Sequence, residues 1–277
     1  MNILLGGPGK RCVVLMNQSS RDYTLLDVRP SPGPGRGAVS SQSSGDKRRK
    51  RSLPGSTVRR EGRAISDHDA PVDERFTAAF WDERYGTAER LWSGAPNTQL
   101  VAEAADLEPG TALDAGCGEG GDAHWLAARG WRVTALDVST VALRRGAAHA
   151  PPDVADRIRW QQADFRTWKP GGEAFDLVSA QFLHFPSALR KRVYERLAAA
   201  VAPGGTLLIV AHEPSELHTG MGHDHPPDMF VSAQELAADL DPAAWEVLVT
   251  DSRPRVGRTD DDREVPISDA VLRARRR

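Results

Sequence analysis

A chain of 277 residues, 27% of them charged and 40% hydrophobic, is long enough to bury one large core or two small ones. Its net charge of −2 gives no reason to expect nucleic acid or a membrane surface as main partner, and two cysteines, Cys12 and Cys117, exclude a disulfide framework. No apolar run approaches the ~20 residues of a membrane span, and the start lacks the pattern of a secretory leader, so a reducing cytoplasm is the expected setting.

The charge is uneven along the chain. Residues 1–70 hold 13 Lys/Arg against 6 Asp/Glu, net +7, and the remainder is net −9. In the basic head, Gly6-Gly7-Pro8-Gly9-Lys10 suggests a phosphate-binding loop. It fails, because Leu4 stands where the first glycine is needed and Arg11 where a hydroxyl would ligate magnesium. From Pro30 to Asp69 the chain is rich in Pro, Gly, Ser and Arg, with Lys47-Arg48-Arg49-Lys50-Arg51 at its middle. Such a stretch has too little apolar surface to offset its ordering entropy. Residues 1–70 are therefore expected to be a disordered basic extension and residues 71–277 the folded domain.

The pattern changes at Pro71. Phe76, Phe80, Trp81 and Tyr85 recur near helical spacing, with Asp82, Glu83 and Arg84 between them. The loop Leu91-Trp92-Ser93-Gly94-Ala95-Pro96-Asn97 follows, with Pro96 placed to open a helix that carries Leu100, Val101, Ala104 and Leu107. Strand–helix units then repeat. Strands are expected at 111–115, 131–136, 158–161, 175–180 and 206–211, with helices at 119–128, 139–148 (Ser139 as its N-cap) and 186–201 between them. A loop of about twenty residues, 212–230, precedes Ser232-Ala233-Gln234-Glu235, which has the form of a helix-starting capping box. Residues 245–250 and 269–274 are expected as closing strands joined by the polar stretch 253–264. This alternation predicts an α/β fold, a parallel sheet with helices on both faces and an antiparallel hairpin at one edge. Ligands of such sheets sit beyond the carboxyl ends of the strands.

The stretch Leu113-Asp114-Ala115-Gly116-Cys117-Gly118-Glu119-Gly120-Gly121 sits at such an end. Gly116, Gly118 and Gly121 make a G-x-G-x-x-G turn, and Asp137 closes the next apolar run at the distance of a ribose-binding acid. Any dinucleotide fold shares those features. Two further acids separate the choices. Asp114, two residues before the first glycine, would repel a pyrophosphate and attract a ligand bearing an ammonium and a sulfonium. Asp164, after the third strand, can accept a hydrogen bond from an exocyclic amine, with Phe165 beside it.

These residues, together with Phe175-Asp176-Leu177-Val178 and Pro203-Gly204-Gly205-Thr206-Leu207, resemble class I S-adenosylmethionine-dependent methyltransferases over roughly 76–275. The front Trp81-Asp82-Glu83-Arg84-Tyr85 with Leu91-Trp92 is similar to the tellurite-resistance and thiopurine S-methyltransferase branch. The resemblance implies a Rossmann-like seven-stranded sheet with an antiparallel last strand, and S-adenosyl-L-methionine as cofactor. It also implies that Asp114 and Gly116 hold the methionine end, while Gly118 permits close approach. Asp137 would bind the ribose, Val138 would pack on the adenine, and Asp164 and Phe165 would fix the adenine edge. Gln181 would line the floor, and Trp92 would close the pocket from the front.

Five histidines fall towards the acceptor side: His184, His212, His218, His223 and His225. A loop rich in Gly and Pro does not pin metal ligands, so no metal is expected. His184 and His212, at strand ends, are the candidates for a general base, since methyl transfer to a hydroxyl or ammonium needs a proton acceptor whereas a thiolate or a selenium or tellurium oxyanion does not. The expected partner is a small-molecule methyl acceptor, with neither nucleic acid nor membrane, for a monomer or homodimer. Two other readings compete. A nicotinamide-dependent oxidoreductase would bring a hydride-site acid such as Tyr-x-x-x-Lys, but Tyr194 is followed four residues later by Ala198. A non-catalytic nucleic-acid-binding module would use the basic head.

Overall fold

The computed structural model describes residues 74–219, 225–259 and 262–277, and the backbone of three short strands nearer the start. Those strands, Leu4–Leu5, Cys12–Val14 and Leu25–Asp27, pair antiparallel, Leu4 opposite Val13 and Val13 opposite Leu26, within a unit of their own. The Pro/Gly/Ser stretch expected to be disordered and its basic run lie outside the described residues.

The main unit is built on seven strands: β1 Thr111–Ala115, β2 Arg132–Asp137, β3 Ile158–Gln162, β4 Phe175–Gln181, β5 Val201–His212, β6 Trp245–Arg258 and β7 Glu264–Arg276. Their order across the sheet is 3-2-1-4-5-7-6. β1 to β5 run parallel, and β7 enters antiparallel to both β5 and β6. This is the expected Rossmann-like sheet of seven strands, with its last strand antiparallel. The helices are α1 Ala78–Gly86, α2 Thr98–Ala104, α3 Gly121–Ala128, α4 Thr140–His149, α5 Ser187–Ala199 and α6 Ala233–Ala238.

Successive side chains of a strand point to opposite faces, and here each face has its own core. Leu113, Val178, Ile209 and Leu272 pack with Leu197 of α5 and Leu236 of α6. Their chain neighbours Ala112, Leu177, Leu208 and Val271 pack on the other side with Leu100 of α2 and Leu126 of α3. A strand covered on both faces needs a continuous apolar run rather than alternation, which is why 175–181 and 206–211 read as strands in the sequence.

Three details differ from expectation, and the cap of α4 agrees with it. α2 is opened by Asn97, whose side chain accepts from the Gln99 amide at 2.8 Å, with Pro96 one residue outside. Thr140 opens α4 after Ser139, whose hydroxyl accepts from the Ala142 amide at 3.1 Å as predicted. β5 starts at Val201 rather than 206 and takes in Pro203-Gly204-Gly205, at the cost of a register irregularity opposite 175–177. The closing strands extend through most of the polar stretch 253–264. β6 lies at the sheet edge, so its arginines and its one proline, Pro254, meet no second strand, and the proline is tolerated there.

Candidate functional site

The carboxyl ends of β1, β2 and β4 converge on the glycine turn. The Gly116 and Cys117 amides donate to the Leu136 carbonyl at 2.8 and 2.9 Å, tying the turn to the end of β2. Asp137, the last residue of β2, then accepts from the Gly118 amide at 2.9 Å with Oδ2 and from the Ser139 amide at 2.8 Å with Oδ1. Burial pushes its carboxyl up to about 6, with the two amide donors opposing that rise. Gly116 and Gly118 have φ of 76° and 53°, the left-handed region. A Cβ at Gly116 would sit 3.0 Å from the Leu183 side chain, and one at Gly118 would sit 2.9 Å from the Tyr85 hydroxyl. The turn must therefore be glycine for both conformation and space.

Asp114 is buried in β1, opposite Ala135 of β2 and Ser179 of β4. Gln181 closes β4 and donates from Nε2 to the Ser179 hydroxyl at 2.8 Å. Its Oε1 is buried with no hydrogen-bond partner among the described residues. Such an atom calls for a donor, and an ammonium group supplies one. Together with the buried Asp114 and the ribose-type acid Asp137, this donor and acceptor set suits S-adenosylmethionine, a cation with two ribose hydroxyls. It does not suit a pyrophosphate.

The front of the site is held by two acids that the sequence reading passed over. Glu119, buried inside the glycine turn, accepts from the amides of Leu91 and Trp92, both at 3.0 Å, and pairs with Arg145 at 3.1 Å. This brings Trp92 over the turn, where its indole N–H donates to the Tyr85 hydroxyl at 3.0 Å and its ring borders Gly118. Asp82 of α1 accepts from the Ser139 hydroxyl at 2.6 Å, the Thr140 hydroxyl at 3.1 Å and the Val141 amide at 3.1 Å, binding α1 to the start of α4. Tyr85 is buried and its hydroxyl pushed up well beyond its ordinary value, chiefly by that burial. Neither acid was visible as a site residue, because the partners of Glu119 are distant backbone amides and those of Asp82 lie 57 to 59 positions away.

The expected adenine residues are placed as follows. Val138 is half-buried after β2 and its carbonyl accepts from Gln162 at 3.1 Å. Phe165 is buried in the apolar cluster of the α5 face. Asp164 is one-third exposed and is gripped by Arg166, whose Nε and Nη2 reach its two oxygens at 2.9 and 2.7 Å. That guanidinium holds the Asp164 carboxyl below its ordinary value. Cys117 is buried, and burial first and the neighbouring carboxylates next push its thiol up, which leaves it no nucleophilic role. Asp176, at the far end of β4, accepts from the Thr111 amide and hydroxyl at 2.8 Å, away from the glycine turn.

Across β4 from the turn lies a cluster of rings. Leu183, which borders Gly116, is followed by His184, and His212 ends β5. The His184 and His212 rings stack at 4.5 Å and 14°. His225 joins them, at 5.1 Å from His184 and 6.0 Å from His212, with Phe182 and Phe230 around the set. Glu216 is buried and places Oε2 3.0 Å from Nδ1 of His212. The structure thus unites three of the five histidines; the side chain of His218 and all of His223 lie outside the described residues. Phe182 has a positive φ of 55°, unusual for a bulky residue, at the bend that directs this segment over the sheet.

The strand order, the glycine turn and the acid after β2 define a class I, Rossmann-like methyltransferase fold. Residues 112–205 match the family model described as a methyltransferase domain. An uncharacterised methyltransferase of Mycobacterium tuberculosis is 39% identical over 115 residues, covering 40% of this chain and 55% of the relative. The chain thus spans about half the length of the first curated relatives it matches. A probable thiol methyltransferase of Arabidopsis thaliana is 28% identical over 184 residues, 64% of this chain and 78% of that protein. A solved structure described as "Conversion of a Disulfide Bond into a Thioacetal Group during Echinomycin Biosynthesis" is 27% identical with a TM-score of 0.55, covering 73% of this chain and 91% of the other.

Proposed function

We propose that the protein transfers the methyl group of S-adenosyl-L-methionine to a small-molecule acceptor, as a monomer or homodimer in the cytoplasm. The observation that carries this reading is the acceptor set around the glycine turn: buried Asp114 and Asp137 with the buried Gln181 Oε1. The cofactor supplies a methyl group on a positively charged sulfur. Asp114 and Gln181 bind its methionine end, Asp137 its ribose, Val138, Asp164 and Phe165 its adenine, and Trp92 covers it from the front. Gly116 and Gly118 leave room for it. His184 and His212 face the acceptor and serve to ionise it, and the site's main contribution is to align acceptor and methyl group for in-line displacement. The relation to a thiol methyltransferase supports a soft, ionisable acceptor atom.

A nicotinamide-dependent reaction is disfavoured by Tyr194, whose hydroxyl is buried and donates to the Leu183 carbonyl at 3.0 Å. The nucleic-acid reading rests on the basic head, outside the described residues. Among the described residues no helix is long and apolar enough to cross a membrane. Calorimetric titration with S-adenosylmethionine, S-adenosylhomocysteine and NAD tests the proposal. Both sulfur ligands should bind, and Asp137→Ala should weaken them about 10- to 100-fold, the effect of charge-assisted hydrogen bonds of ~1.5–3 kcal/mol. Binding of NAD alone would overturn it.

A further inference from the structure

We infer that His184, His212 and His225 form a binding site for a divalent transition metal of the zinc class, on the acceptor side of the sheet. The three side chains come from the segment after β4, the end of β5 and the loop before Pro227, and each offers one ring nitrogen within 4.8 Å of the others. His212 ends β5, and His184 follows the end of β4 by three residues with its ring stacked on His212, which supplies the pinning that the loop's composition alone does not. Imidazole nitrogens suit zinc and its neighbours among the transition metals. Zinc–nitrogen bonds of roughly 2.0–2.1 Å in a tetrahedron draw such atoms to about 3.4 Å, a change that side-chain rotation covers.

The surroundings have the character of a metal centre's second layer. Metal-bound histidines commonly donate their other ring nitrogen to a carboxylate. Buried Glu216 sets a carboxylate beside this cluster, its Oε2 3.0 Å from His212 Nδ1. Arg255 in turn lies 3.9 Å from Glu216 and pairs with Asp269 at 2.6 Å, steadying the carboxylate from behind. Phe182, 4.7 Å from the His212 ring, and Phe230, 6.1 Å from it, restrict access of water. Three neutral ligands leave a coordination position open and the ion's charge undiminished, the arrangement of a catalytic rather than a structural site.

The use of this site rests on the methyltransferase reading. A divalent ion beside the cofactor turn gathers an acceptor bearing an O–H or S–H group and lowers its pKa. The acceptor's proton passes to water, its lone pair forms the bond to the methyl carbon, and the carbon–sulfur bond breaks with its electron pair staying on sulfur, now a neutral thioether. His184 and His212 then act as ligands, and the ion takes over the acidifying role of a base.

The test uses the full chain, stripped with a chelator and titrated with Zn²⁺ alone by calorimetry and with Co²⁺ alone by visible absorption. The expected result is one ion per chain and a cobalt spectrum of nitrogen ligation. His225→Ala and His184→Ala should each weaken Zn²⁺ binding at least about 100-fold, and Glu216→Gln about 10- to 100-fold. S-adenosylhomocysteine binding, measured on the same samples, reports folding and the cofactor reading separately. Should an alanine variant lose that binding and its folded circular dichroism, His225→Asn and Glu216→Gln decide the matter. Weak or multiple Zn²⁺ binding by the parent chain, or binding that both histidine variants retain, would overturn the site. Metal binding lost with S-adenosylhomocysteine binding intact confirms it, and a chain that binds metal but no sulfur ligand would leave the site standing while removing the methyltransferase reading.

Discussion

At the scale of single residues, Asp137 ties the glycine turn to the end of β2 and is the acid proposed to meet the ribose. Its two oxygens already accept amide hydrogens from Gly118 and Ser139, yet burial holds its carboxyl near 6, above the ordinary 3.8. A raised acid stabilises the fold most below its unfolded value, and that contribution is withdrawn as pH rises through about 6. Ribose hydroxyls donating to the ionised form would offset the loss. S-adenosylhomocysteine affinity should therefore be flat above about pH 7 and fall by up to about tenfold per unit below 6, as expected for one linked proton; calorimetry across pH 5 to 8 reads this directly. The place of Asp137 beside the glycine turn was legible in the sequence, because it closes the apolar run that follows the turn. Glu119 was not legible. Its position fits any helix start, and only the fold brings the Leu91 and Trp92 amides to it.

At the scale of elements, α1 is fastened to α4 through Asp82. The carboxylate adds to the Ser139 cap and places a negative charge at the helix N-terminus. Burial works against ionisation of Asp82, but the bonds from Ser139, Val141 and Thr140 prevail and hold its pKa below 3.8. Its stabilising effect is accordingly present above that value and lost as pH falls through the folded one. Asp82→Ala should lower stability by about 1–2 kcal/mol at neutral pH, the typical cost of losing a helix cap, with the deficit vanishing in acid; denaturant titration at both pH values checks this. The elements themselves were largely readable, since strands buried on both faces announce themselves as apolar runs. β6 and β7 were read short. Their outer halves carry Arg253, Arg255 and Arg258, and backbone pairing with ion pairs such as Arg255–Asp269 sustains strand there with little apolar content beyond Val256, Val265 and Ile267.

At the scale of the whole folded unit, the order 3-2-1-4-5-7-6 puts β1 and β4 side by side at the centre, so that the glycine turn and the segment after β4 share one crevice. The doubly wound sheet and the location of the crevice followed from alternation of strand and helix. The meeting of His184, His212 and His225 did not, because the third comes from a loop whose path depends on packing around Phe230 and Met229. The front segment completes the unit by laying Trp92 across Gly118.

That indole gives the protein an optical signal of its own. Its N–H is bonded to the Tyr85 hydroxyl and its ring edge lies over the turn where a cofactor would arrive, so its emission depends on whether that space is filled by water or by ligand. Adding S-adenosylhomocysteine should shift the chain's tryptophan fluorescence, and Trp92→Phe should remove most of the shift while leaving the other six indoles to report the unchanged fold. Occupancy can then be followed in real time by stopped-flow, without a label and without knowing which molecule receives the methyl group.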